Sequence, residues 1–63
     1  MIKATVLTRF NHQEELYFND KEDYRKFNLH RYLHPESRRL VHGWGRSIMV
    51  MDITRVISVE EEN

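Results

Sequence analysis

The 63-residue sequence has no cysteine, a single proline, two glycines and no net charge. Without cysteine there are no disulfide staples, no thiol nucleophile and no cysteine-ligated zinc, a usage that suits a reducing compartment. With only Gly43 and Gly45, the chain has no glycine-rich loop to cradle a phosphate. Long apolar runs are missing as well. The longest, Ile48-Met49-Val50-Met51, falls far short of the roughly 18 to 20 residues that span a bilayer. Residues 1 to 6 alternate around one lysine and form neither a signal nor a transit segment, so a cytoplasmic protein without membrane contact is expected. A chain of this length buries only about 60% of the surface exposed when unfolded. One marginally stable domain over residues 1 to 63 is expected, with self-association as an option.

The zero net charge hides a sorted distribution. Residues 14 to 23 hold Glu14, Glu15, Asp20, Glu22 and Asp23 against Lys21. Residues 25 to 46 hold Arg25, Lys26, Arg31, Arg38, Arg39 and Arg46 against Glu36, and three of the four histidines, His30, His34 and His42, lie there too. Such a basic middle between acidic flanks fits a partner-facing patch, or elements that neutralise one another on folding.

Strict alternation of Ile2, Ala4, Val6, Thr8 and Phe10 against Lys3, Thr5, Leu7 and Arg9 predicts a half-buried strand over residues 2 to 10. A polar turn at Asn11-His12-Gln13 leads to a second strand over 14 to 18, and the two make a hairpin. Asn19 with Glu22, or Asp20 with Asp23, signals a helix start near residue 20. Tyr24 and Phe27 then lie on one side of that helix while Leu29, Tyr32 and Leu33 lie on the other. Either the helix breaks near Asn28, or it reaches Leu33 and offers its second face to another chain; Pro35 sets the latest stop. Two strands, 39 to 44 and 46 to 51, flank the turn formers Gly43-Trp44-Gly45. The alternation of Ile48, Val50, Ile53, Val56 and Val59 slips near residues 52 to 55, which reads as one helical turn before a final strand. Residues 59 to 63 read as a frayed acidic tail.

The expected architecture is α+β: a small antiparallel sheet of four to five strands in the order ββαββ, a short turn, and a final strand, packed by one helix. The strand, turn and strand at the end of the chain resembles the closing segment of SH3-like and Sm-like barrels, which makes an SH3-like barrel with a helix inserted between its second and third strands the alternative. In size and layout, and in the ending Ile53-Thr54-Arg55-Val56-Ile57-Ser58-Val59-Glu60, the sequence also resembles short uncharacterised proteins encoded by phages and prophages.

Catalytic constellations are not legible. Ser37, Ser47 and Ser58 sit in no nucleophile turn, and the neighbouring carboxylates Glu14/Glu15 and Glu22/Asp23 are explained by a turn and a helix start. His30 and His34 share a helix face, which is half of a zinc site that lacks a third ligand at diagnostic spacing; no metal or other cofactor is expected. Trp44 is either a lid on the core or a contact residue, and Arg38, Arg39, His42 and Arg46 surround it in sequence. Phe10, Phe18 and Phe27 are expected in the core. Leu29, Tyr32 and Leu33 are the candidate contact for a homodimer or a protein partner. A non-catalytic protein-interaction module, of the accessory or modulator type found in phages, is therefore the expected function. The alternative is nucleic-acid binding through the basic 25 to 46 stretch, against which stand the acidic flanks and an isoelectric point near 6.9.

Overall fold

The computed structural model describes residues 1 to 43 and 45 to 62. It contains one helix, α1 (Lys21–Leu33), and five strands: β1 (Ile2–Thr8), β2 (Gln13–Phe18), β3 (Leu40–Gly43), β4 (Arg46–Met49) and β5 (Ile53–Glu61). A single 3₁₀ turn, Val50–Asp52, separates β4 from β5. The strands form one antiparallel sheet in the order β4-β3-β2-β1-β5, so the first strand is interior and pairs with both its sequence neighbour and the last strand. The class is α+β, with α1 between the two hairpins.

Alternation decides what is buried. Ile2, Ala4, Val6 and Thr8 of β1 are all buried, while Lys3, Thr5 and Leu7 between them are half-exposed. Val6 joins Leu16, Phe27, Ile48, Val50 and Ile53 in one core cluster. Phe18, Tyr24, Val41 and Val56 pack against it. Phe18 lies 5.0 Å from Phe27 and 5.6 Å from Tyr24 between ring centres, so one aromatic cluster docks α1 onto β2.

The helix starts where the second capping signal places it. Asp20 Oδ1 accepts from the Asp23 backbone N–H at 2.9 Å, and Glu22 and Asp23 occupy the positive first turn. It ends without a break at Leu33, with the His34 N–H bonded to the His30 carbonyl at 2.8 Å just before Pro35. The continuous form of the helix is thus observed. Leu29, Tyr32 and Leu33 remain 58%, 81% and 58% exposed.

Two expectations are corrected. Phe10 is not core: β1 stops at Thr8, whose buried hydroxyl accepts from the N–H groups of Phe10 and His12 at 3.3 Å, and Asn11 turns the chain at φ 63°. Phe10 is left 60% exposed beneath the Arg9 guanidinium, 5.0 Å from its ring centre. Nor does the chain fray at residue 59. β5 continues through Glu61, with Val59 opposite Ala4 and Glu61 opposite Ile2, and Lys3 Nζ lies 3.3 Å from Glu60 and 3.4 Å from Glu62. The slip in alternation comes from the 3₁₀ turn and from two irregularities of the β1/β5 register, between Leu7 and Thr8 and between Thr5 and Val6.

Candidate binding groove between α1 and β3

The sheet parts between its two hairpins. β2 and β3 share one ladder pair, Leu16 with Gly43, and no further pairing joins them among the described residues. Close approach at that pair needs a residue without a side chain, because a Cβ on Gly43 would stand 2.8 Å from the Glu15 carbonyl oxygen and 3.3 Å from the Leu16 side chain. Away from the pair, α1 lies across the opening and leaves a groove of about 270 Å³. Its floor is apolar, formed by Phe18, Phe27, Val41 and Val50. Lys26, His30, Arg39 and His42 line its polar margin, with Asp23 as the carboxylate among them.

Three elements fix that margin. On α1, Asp23, Lys26, Phe27 and His30 stand at i, i+3, i+4 and i+7 and so share one face, with Phe27 inserted into the core and the polar residues beside it. The α1–β3 connection is held by Ser37, whose Oγ lies 2.8 Å from His30 Nε2 and accepts from the Arg39 N–H at 3.1 Å. Its backbone is tied to the 3₁₀ turn, where Val50 N–H donates to the Arg39 carbonyl and Met51 N–H to the Ser37 carbonyl, both at 2.9 Å. On β3, Leu40 and His42 are exposed while Val41 and Gly43 are half-buried, as strand alternation predicts. His42 Nδ1 reaches Ser47 Oγ of β4 at 3.0 Å.

Charge pairing divides the molecule. Lys3 and Lys21 are bound to the glutamates at the end of β5, Arg9 to Asp52 at 2.8 Å, and Arg46 to Glu14 at 3.3 Å. Among the described residues no ion pair engages Arg25, Lys26, Arg31, Arg38 or Arg39, and Arg31 bonds only to the Asn28 amide oxygen at 3.4 Å. Arg55 of β5 is likewise outside the ion pairs, and the other five free cations gather on α1 and the connection that follows it.

The structure divides the sequence candidates. Arg39 and His42 meet at the groove, and Arg38 is exposed on the connection beside them. Arg46 belongs elsewhere: with its Glu14 partner it borders a separate hollow that also contains Phe10 and His12. Leu29 and Tyr32 lie with Arg25 and Asn28 on the outer side of α1, and Leu33 is exposed at its end. Trp44 lies outside the described residues. The His30 and His34 rings contact each other at 5.0 Å, and no group of three or more histidines or carboxylates suited to a metal is present among the described residues. Sequence reasoning missed Lys26 and the floor residues Phe18 and Val41 as site residues. The 23, 26, 27, 30 spacing around Phe27 was the available signal. No helix is long and apolar enough to cross a membrane among the described residues. In comparisons with known proteins, no family model, curated protein or solved structure gave a significant match to this chain.

Proposed function

We propose that this chain is a non-catalytic protein-interaction module built as an SH3-like barrel with a helix inserted between its second and third strands, and that it receives a protein partner in the α1–β3 groove. The observation that carries the reading is the pairing of an apolar floor, Phe18, Phe27, Val41 and Val50, with a rim on which Lys26 and Arg39 enter no ion pair among the described residues and Asp23 is the one carboxylate. Interfaces draw their energy from apolar pockets surrounded by polar contacts, and the groove has that layout. Its volume of about 270 Å³ lies below the roughly 300 to 1,000 Å³ of small-molecule sites, which favours side-chain anchors over an enclosed substrate. The fold part of the proposal is supported by the meander order of the sheet, by β1 pairing with β5, and by the 3₁₀ turn between β4 and β5.

A photo-crosslinking residue at Leu40, which is exposed and borders the groove, should give a discrete protein adduct in lysate of the source cells, and the same residue at exposed Thr54 should give none. Equal labelling from both positions would overturn the groove as the interface.

Nucleic-acid binding is the second reading, favoured by Arg25, Lys26, Arg31, Arg38 and Arg39, which stand without carboxylate partners over one stretch of the chain. It requires Leu40 adducts to be nuclease-sensitive and oligonucleotide affinity to fall steeply with salt.

A further inference from the structure

We infer that the occupant of the groove is a short acidic peptide segment of a protein partner, with one large apolar side chain seated on the Phe18, Phe27, Val41 and Val50 floor and carboxylates facing Lys26 and Arg39. The inference rests on the interaction-module reading and adds the chemistry of the partner. Complementarity of charge is its first support. Lys26 and Arg39 both line the groove, one on α1 and one on the connection just before β3, and among the described residues neither forms an ion pair with a carboxylate. A peptide carboxylate there would meet charge from both elements, whereas a basic segment would meet only Asp23.

The floor separates a peptide from a nucleic acid. Single-stranded nucleic acids need aromatic faces presented for stacking. Phe18, Tyr24 and Phe27 instead pack on one another at 5.0 to 6.1 Å between ring centres, and Phe27 is 7% exposed. Half-buried Phe18 and Val41, above the buried Phe27 and Val50, make an apolar seat for an aliphatic or aromatic side chain. Phe27 offers a base no open face there. Anchoring depth sets specificity for the apolar residue, and the flanking cations set the sign of its neighbours.

A library of random 12-residue peptides displayed and selected against the whole chain tests the inference directly. Enriched sequences should be net acidic and carry a large apolar residue between Asp or Glu positions. Their affinity should fall at least tenfold in the K26E/R39E variant, fall on raising salt from 50 to 200 mM, and stay unchanged in R55E, which alters an exposed arginine of β5 away from the groove. Lys26 and Arg39 are both exposed and unpaired, so K26E/R39E should keep the wild-type melting temperature, which separates lost binding from lost fold. Enriched peptides that are neutral or basic, or acidic peptides indifferent to K26E/R39E, would overturn the acidic partner while leaving the module reading in place. No enriched peptide, together with salt-sensitive oligonucleotide binding that K26E/R39E abolishes, would overturn both.

Discussion

Gly43 occupies a point of close approach, because the one ladder pair joining the two hairpins among the described residues passes through it. The atom that an added methyl would strike is a backbone carbonyl of β2, which cannot swing aside as a flexible side chain would. G43A should therefore destabilise the fold by about 1 to 3 kcal/mol, the usual cost of overpacking, measurable as a lower urea midpoint with little change in slope. An unchanged midpoint would mean that β2 and β3 are free to part further. Gly45 has a different reason to be glycine, since its φ of 75° lies in the left-handed region with open space around it. The two glycines flanking Trp44 look alike in sequence, yet one serves contact and the other conformation.

The outer face of α1 tests whether the helix owes its stability to more than its inner stripe. Leu29, Tyr32 and Leu33 contribute nothing to the core cluster, so replacing all three with Gln or Ser should leave chemical stability within about 0.5 kcal/mol of the parent for each site. F27A should cost about 3 to 5 kcal/mol, enough to unfold a domain of this size at room temperature. A large loss of stability in the triple variant, dependent on protein concentration, would show that a second chain covers this face. At this scale the sequence was legible where the code is local. Period-2 alternation located β1, the turn formers around Trp44 located the β3–β4 hairpin though with strands drawn too long, Asp20 with Asp23 located the helix start, and Pro35 bounded its end. Phe10 was misjudged because alternation continues on paper past the point where Thr8 closes the turn. The groove was hidden for a related reason: it is lined by residues of α1, β2, β3 and the 3₁₀ turn, a non-local juxtaposition that no periodicity encodes.

Over the whole molecule, the sorted charges of the sequence become a division of labour. The acids of residues 60 to 62 are used by the cations of β1 and of the first turn of α1, through Lys3 and Lys21, leaving the basic middle without ion pairs among the described residues except at Arg46. The hydrogen bond that Lys3 donates to Glu60, with the charge of that carboxylate and the bond donated to Glu62, raises the Lys3 pKa above the ordinary lysine value. On the same face the Tyr17 hydroxyl donates to Glu15 Oε2 at 2.9 Å, which raises the phenol in turn. Both groups hold their protons more tightly folded than unfolded. Their contributions are complete below the unfolded pKa values, near 10, and fade as pH rises through the folded ones. Unfolding midpoints should accordingly be flat through neutral pH and fall above about pH 10, with a shallower fall in a K3M/Y17F variant. An identical alkaline slope in that variant would assign the loss to other groups. β5 itself was expected from its alternation, but its reach to Glu61 was not, since that depends on β1 accepting a partner from the far end of the chain.

That partnership has a consequence in time. During synthesis the hairpin of β1 with β2 is available as soon as residue 18 has emerged, yet the other edge of β1 is satisfied only by residues 53 to 61. Until those residues emerge, the nascent chain carries an interior strand with one open side and an incomplete core, a state that invites chaperones and proteases. Completion of the sheet thus waits for β5, and a copy terminated before residue 53 would keep that edge exposed to both.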